Sequence, residues 1–516
     1  MELSDSEDTD VVFIDQDELS NYNPEQILPK SPETIQKIRS WLNPTSYELP
    51  SGEFRKHLAS HMPSTGAWLT SSSTYQQWLS STTTGLLWIQ GVPGSGKSVM
   101  AAHLVSSLQE SNTGCPVLFF FFRQIIKSNH TPHRLLRDWL DQVLIYSPPL
   151  QAQIEAYVKA SRDVESMSIQ DLFKDLRLAV ASLPAKVFCV ADALDEMDVG
   201  NDGFLEEVGK LGNWRPEKVK ILLTSRPVAK LEGPLRVPCL RLRLEEADVD
   251  VDIAAFVHNA LSTSAIPRES WGKITSAVPG RANGIFLYAK LAVDAFLEDG
   301  ADIDDVLLHL PTDLNVLYTK LLREHALRSG VSSHVQDLLL QAVTHASRPL
   351  RLIELADLMR VSLPDAPDLR ATKDLIRVAC GPLLEVLPDE TVSVVHHSLT
   401  EYLKGITREE SADAYPVLKP GPTHACLATA CLRYLHSGCL SSVKITIEDE
   451  ASEFEWRSTS HQLDANPALT SLTLAHPFSK YAVQNWAAHV PCWKMKAVEK
   501  LGCSCAGRHR LAAQEE

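Results

Sequence analysis

The sequence predicts an α/β domain built on a parallel sheet with helices on both faces, followed by a largely helical remainder. Three observations carry this. Short apolar runs alternate with helical periodicity between residues 85 and 243. A glycine-rich loop stands between the first apolar run and a helix. Beyond about residue 244 the strand-like runs fade, and only one short pair of them interrupts a helical pattern.

The chain has 516 residues, 44% hydrophobic and 22% charged, which is ordinary globular composition and excludes whole-chain disorder, collagen and coiled-coil rods. At roughly 150 residues per domain it holds three to four modules. The longest apolar runs fall well short of the roughly 18 residues needed to span a bilayer, and the start lacks the basic and apolar regions of a secretory signal. No membrane insertion is therefore expected. Ten cysteines without a signal sequence point to reduced thiols and a cytoplasmic or nuclear location. Cys492, Cys503, Cys505 and His509 have a C-x-C spacing unlike that of zinc ligands, and a thiol-bearing tail is the plainer reading.

Residues 1–33 read as a disordered acidic tail. Nine acidic residues and no basic one precede Lys30, so this stretch supplies −9 of the formal net charge of −16. Within it, Val11-Val12-Phe13-Ile14 is β-prone and flanked by Asp8, Asp10, Asp15 and Asp17. Such a segment suits strand addition to a basic sheet edge and resembles a SUMO-interacting motif; a plain acidic tail is the alternative. Residues 34–84 read as short helices whose Trp41, Leu58, Trp68, Tyr75, Trp78 and Leu79 pack on the next domain. The expected strands of the α/β domain, 85–243, are 86–90, 117–122, 187–191, 220–224 and 239–242. Helical regions follow over 244–328 and 409–516. Between them, over 329–408, amphipathic segments end in apolar runs at 383–387 and 392–395, which the turn signal Pro388-Asp389-Glu390 makes a hairpin.

Gly91-Val92-Pro93-Gly94-Ser95-Gly96-Lys97-Ser98 fits G-x-x-x-x-G-K-[ST]. Glycines let the backbone wrap a phosphate with its N–H groups turned inward. Lys97 reaches the β- and γ-phosphates, and the Ser98 hydroxyl is a hard ligand for Mg²⁺. The helix that opens near Val99 adds the positive end of its dipole. At average residue usage the pattern arises in a chain this long roughly 2% of the time. The preceding apolar strand and following amphipathic helix make chance rarer still. Gly91, Pro93, Gly94, Ser95, Gly96, Lys97, Ser98 and Val99 are thus the expected nucleotide contacts, with ATP or ADP as ligand.

Asp192 closes the apolar run 187–191, the position from which an acid holds Mg²⁺ through its water shell. Asp195 and Glu196 follow, where a carboxylate can orient or deprotonate an attacking water. The alternative is a buried strand with a solvated acidic turn. Ile221-Leu222-Leu223-Thr224-Ser225-Arg226-Pro227 ends another strand in an arginine suited to sensing a γ-phosphate; a surface arginine before a proline turn is the alternative.

Together these elements resemble a NACHT-type nucleotide-binding domain of the STAND class of signalling NTPases, with the doubled acid of Asp192-Ala193-Leu194-Asp195-Glu196 as the distinguishing sign. Arg55-Lys56-His57-Leu58, Thr65-Gly66-Ala67-Trp68, Tyr75-Gln76-Gln77-Trp78 and Gly284-Ile285-Phe286-Leu287-Tyr288-Ala289 point to its fungal branch, related to nephrocystin-3-like N-terminal regions. The resemblance covers roughly residues 34–490. It implies a P-loop NTPase domain, a helical lid, a winged-helix domain over 329–408 that closes on bound ADP, and an all-α C-terminal region. In the block Val394-Val395-His396-His397-Ser398-Leu399-Thr400-Glu401-Tyr402-Leu403 it makes His396 a phosphate contact; a core or exposed histidine is the alternative. It further implies a slow NTP hydrolase that self-associates on exchanging ADP for ATP, NLR-like, in fungal self/non-self recognition or innate immune-type signalling.

The rival reading is a nucleotide-binding adaptor that does not hydrolyse. A DNA-handling ATPase is disfavoured, because residues 348–408 hold eight Lys/Arg against nine Asp/Glu and lack a basic footprint. No nucleic-acid partner is expected.

Overall fold

The computed structural model describes residues 28–439 and 473–490, apart from 46, 48, 50–51, 124–128, 199, 236, 299, 330, 363–367, 388, 410 and 412. Residues 11–14 and the cysteines at 492, 503 and 505 lie outside the described residues. The chain divides into two compact units, residues 1–289 and 290–516.

The first unit holds five parallel strands: β1 (Leu86–Gln90), β2 (Val117–Phe121), β3 (Val187–Asp192), β4 (Val219–Ser225) and β5 (Leu240–Arg243), in the order β2-β3-β4-β1-β5. They are the five runs expected from sequence, displaced by at most one residue at an end. Strands β1 to β4 are buried along their whole length, which is why they read as unbroken apolar runs. Register sets Gln90 beside Ser225 on one side and Arg243 on the other, and Asp192 beside Phe121. The carboxyl ends of β1, β3 and β4 therefore meet at one edge of the domain.

In the segment before β1, Tyr75 and Trp78 of the six expected packing residues are buried, and Trp41, Leu58, Trp68 and Leu79 are half-buried. Helix Pro32–Leu42, capped by Ser31, sends Ile38 and Leu42 into the core. Helices Glu53–Ala59, Ala67–Ser71 and Ser73–Ser80 follow. Trp78 is fully buried and its indole N–H donates to the Gly85 carbonyl at 2.9 Å. Gly85 itself is pressed against backbone: a Cβ there would sit 2.2 Å from the Gly212 carbonyl oxygen and 2.4 Å from that of Val219. Along the outer edge of β2, the Gln142 carboxamide mimics a strand. It accepts from the Phe119 N–H at 2.8 Å and donates to the Phe119 carbonyl at 2.9 Å.

In the second unit, helices Ser333–His345, Leu352–Ser362 and Leu369–Ala379 lead into an antiparallel pair, β6 (Leu384–Val386) and β7 (Val392–Val394). This is three helices and a wing, with the hairpin where the turn signal set it. Helices Pro420–Tyr434 and Ser479–His489 continue the all-α region.

Buried titratable groups give the two units opposite pH responses. In the first, Asp138 accepts from the Thr45 N–H at 2.8 Å and from its hydroxyl, and Asp175 accepts from the Tyr157 hydroxyl at 3.2 Å. Burial pushes each carboxyl up to about 7. A raised carboxyl binds more protons folded than unfolded, so this stability is lost as pH rises from about 4 through 7. In the second, burial holds His345 and His489 down to about 4. Their neutral forms are native, so this stability is lost as pH falls from about 6.5 to 4. Asp175→Asn is expected to flatten the alkaline-side slope of unfolding midpoints, and His489→Gln the acid-side slope. Denaturant titrations between about pH 4 and 8 read both; unchanged slopes would contradict the assignment.

Candidate functional site

Strand β1 runs into the loop 91–96 and then the helix Lys97–Ser111. Gly94 and Gly96 hold φ of +77° and +88°, the left-handed region that glycine enters without steric cost. Gly91 has no room for a side chain, since its Cβ would lie 2.7 Å from the Ser95 hydroxyl oxygen. Its N–H donates to the Ser225 carbonyl at 3.2 Å, anchoring the loop to β4. Pro93 and Val99 are half-buried at either end, and Ser95 is buried. The Lys97 ammonium donates back to the carbonyls of Gly91 (2.9 Å) and Val92 (2.8 Å). Burial lowers its pKa to about 8, against the opposing pull of Asp195 and Asp192.

Asp192 ends β3 fully buried. Its carboxylate accepts from the Thr224 hydroxyl at 2.5 Å, and the Ser98 hydroxyl stands near enough to favour its charged form. Burial raises its pKa, and these hydroxyls together with the charges of His57 and Lys97 oppose the rise. Ser98 and Asp192 thus bring two hard oxygen donors together, a set that suits Mg²⁺ rather than a softer metal. The chain leaves Asp192 through Ala193 in the left-handed region (φ 56°), held by an N–H bond to the Thr224 oxygen at 2.9 Å, and enters a single 3₁₀ turn, Leu194–Glu196. There Asp195 and Arg226 form one unit. The guanidinium Nε lies 2.9 Å from Asp195 Oδ2, and the Arg226 backbone N–H donates to Oδ1 at 2.9 Å.

Three groups that sequence reasoning gave no chemical role stand beside this edge. His57 and Glu53 share the face of helix Glu53–Ala59, where Glu53 is bound by Arg123 at 2.5 Å and approached by His57 Nε2 at 3.4 Å. The His57 ring packs 5.5 Å from that of Phe121, the strand neighbour of Asp192. The i, i+4 spacing of Glu53 and His57 was the available signal. The flanks of the loop are tied by helix Glu246–Ser262. Asp252 accepts from the Gly66 N–H and the Trp68 indole, both at 2.9 Å, and Asp250 from the Gly284 N–H at 2.9 Å. Beyond Gly284, the Leu287 N–H donates to the Gly94 carbonyl at 3.1 Å and the Phe286 ring lies under Gly96.

His396 belongs to the second unit. It is the N-cap of helix His397–Leu403: its Nδ1 accepts from the Ser398 N–H at 3.1 Å and pairs with the Ser398 hydroxyl at 2.8 Å, which meets the Tyr318 hydroxyl at 2.8 Å. His397 Nε2 lies 3.8 Å from Glu401. Among the described residues no three His, Cys, Asp or Glu side chains form a metal-holding group, and no helix is long and apolar enough to cross a membrane.

A glycine loop at a strand-to-helix turn, with an acid at the end of a nearby parallel strand, defines a P-loop nucleotide-binding fold. Residues 64–226 match the family described as nephrocystin 3, N-terminal, and residues 326–413 match the winged helix domain of GPI inositol-deacylase. The vegetative incompatibility protein HET-E-1 of Podospora anserina is 25% identical over 365 residues, 67% of this chain and 26% of that protein. The chain thus spans about a quarter of the length of this curated relative. Among solved structures, a STAND protein with a tetratricopeptide repeat sensor from Pyrococcus horikoshii superposes at a TM-score of 0.37 and 13% identity, over 79% of this chain and 52% of that one. The Aeropyrum pernix ORC1 protein in complex with DNA does so at 0.29 and 12%, over 75% and 93%. These matches support a NACHT-type protein: a P-loop NTPase fold, a match to a winged-helix family over 326–413 and a helical C-terminal region.

Proposed function

We propose that the chain is an NLR-like signalling switch that binds ATP or ADP with Mg²⁺, hydrolyses ATP slowly and self-associates on activation. The supporting observation is the meeting of Lys97, Ser98 and Asp192 with the Asp195–Arg226 pair at one sheet edge. The backbone of 91–98 would cradle the phosphates, with Pro93 and Val99 shaping its ends. Ser98 and Asp192 would hold Mg²⁺, which supplies positive charge to the phosphate oxygens. Thr224 keeps the Asp192 carboxylate oriented. A γ-phosphate would draw the Arg226 guanidinium away from Asp195. That exchange would signal the triphosphate and release a carboxylate beside Glu196 to orient water. His396 would contact phosphate in the closed state. The name of the relative, a vegetative incompatibility protein of Podospora anserina, supports a fungal self/non-self role.

The second reading, a non-hydrolysing adaptor, is favoured by the same pair, because Asp195 is already engaged by Arg226. One set of measurements separates them. The purified chain should carry ADP and grow in size with a non-hydrolysable ATP analogue. Combined Asp195→Ala and Glu196→Ala should keep nucleotide binding and lower phosphate release about 100-fold. Wild-type protein that releases no phosphate is the adaptor; protein that binds no nucleotide sinks both readings.

A further inference from the structure

The carboxyl ends of the strands carry the glycine loop, and their amino ends carry a cluster of cations. Val187 pairs with Val219 and Phe188 with Lys220, so Lys186, Lys218 and Lys220 come together where β3 and β4 begin. Arg215 lies just ahead of β4, its guanidinium 4.7 Å from the Trp214 ring centre. Among the described residues none of these four cations pairs with a carboxylate, and Glu217 is the one acid whose charge reaches Lys218 and Lys220. Each lysine ends instead on a neutral carbonyl: Lys186 on Leu79 at 3.5 Å, Lys218 on Ala181 at 3.3 Å and Lys220 on Ser81 at 2.6 Å. Lys220 is fully buried, and burial together with the Lys186 charge lowers its pKa to about 8. The carbonyls close the helices Ser73–Ser80 and Ile169–Ser182, which accounts for where the lysines sit. It does not balance them, because a helix end supplies only about half a negative charge. A surplus of about two positive charges is left, close to the charge that a phosphoryl group carries at neutral pH with the opposite sign.

The Ser81 carbonyl held by Lys220 lies within a run of hydroxyls, Ser80 to Thr84. Ser80 donates to the Gln76 carbonyl at 2.8 Å. The Ser81 oxygen accepts from the Thr83 and Thr84 N–H groups at 3.2 and 3.0 Å and meets the Thr83 hydroxyl at 3.4 Å. Thr84 is half-buried. Thr82 differs: it is exposed, and among the described residues its hydroxyl has no hydrogen-bond partner. Peptide dimensions put the Thr82 Cα within about 5.5 Å of the Lys220 ammonium, inside the reach of a phosphothreonine side chain.

We propose that the corner where β3 and β4 begin is a binding site for a phosphoryl group carried on Thr82, with Lys186, Lys218 and Lys220 as its receptor. The group would come from ATP on a protein kinase. The bond from the γ-phosphorus to the ADP oxygen breaks, a bond to the Thr82 Oγ1 forms, and the hydroxyl proton passes to the base of the kinase. The dianion then takes the ammonium hydrogen bonds in place of neutral carbonyls, contacts roughly twice as strong. It would pin residues 81–84 to β3 and β4, beside Gly85, whose carbonyl accepts from the Ile221 N–H at 2.7 Å. The site lies at the opposite end of the sheet from Lys97 and Asp192, so the inference stands apart from nucleotide chemistry and would survive its failure.

The test is phosphorus NMR on the full chain with Thr82 installed in its phosphorylated form. An unconstrained phosphothreonine takes up its second proton near pH 6. In this chain that proton should bind about tenfold more weakly. Lys186→Ala/Lys218→Ala, which leaves the buried Lys220 in place, should bring it back to within about threefold of the unconstrained value. The amides of 82–84 should exchange about tenfold more slowly in the phosphorylated chain than in the unmodified one, and the double variant should lose that protection. A phosphoryl group that titrates near pH 6 in the otherwise wild-type chain overturns the proposal, as does a shift that survives the double variant. Equal protection of the unmodified chain by millimolar inorganic phosphate also overturns it, because the corner would then serve a free anion.

Discussion

Lys97→Ala is expected to weaken ADP and ATP binding at least about 100-fold in calorimetry, while leaving the nucleotide-free protein folded. The free protein already holds this ammonium in a costly place. It is half-buried, its pKa is pulled down to about 8, and its partners are the neutral carbonyls of Gly91 and Val92. A phosphate is the partner that repays that desolvation. Charge-assisted bonds contribute roughly 1.5–3 kcal/mol each, and two would exceed the ~2.7 kcal/mol that a hundredfold loss requires. Lys97→Arg should fail similarly, because a planar fork does not replace a point charge in a loop this tight. Binding within threefold of wild type would mean that Lys97 does not face the phosphates.

Gly85→Val is expected to cost more than about 3 kcal/mol of stability, seen as a lower denaturation midpoint of the first unit. The obstruction is backbone on both sides, 2.2 Å to the Gly212 oxygen and 2.4 Å to the Val219 oxygen, so no rotamer relieves it. Gly85 also accepts from the Trp78 indole at 2.9 Å and from the Ile221 N–H at 2.7 Å. Moving it aside would loosen the preceding helix and the β1–β4 pairing together. A midpoint within about 0.5 kcal/mol of wild type would show that the sheet base yields more easily than these distances imply.

The parts legible in the sequence are those whose signal is local. A strand buried on both faces is an apolar run, so all five strands of the sheet are visible, as are the glycine loop and the acid that ends β3. What stayed hidden depends on strand order. Asp195 and Arg226 lie 31 residues apart and meet because β3 and β4 are neighbours. Asp250 and Asp252 read as ordinary acids in the first turns of a helix, yet each grips a backbone N–H beside the loop. Gly284 to Leu287 belonged to a block of resemblance without an assigned contact, and Phe286 and Leu287 prove to line the loop itself. His396 fell in a block whose pattern resembles a phosphate contact, but nothing local marks a histidine as a helix cap, and its Nδ1 serves as one. Gln142 is a polar residue in an amphipathic helix until β2 is set beside it.

The bond from Leu287 to the Gly94 carbonyl has a practical corollary for anyone trimming this protein. A fragment cut at residue 243, where the strand pattern stops, would keep every signature residue of the loop and still lose the floor beneath it. Gly94 would be left with an idle acceptor and Gly96 with no ring behind it. Weak nucleotide uptake by such a fragment would report the missing floor, not the quality of the loop.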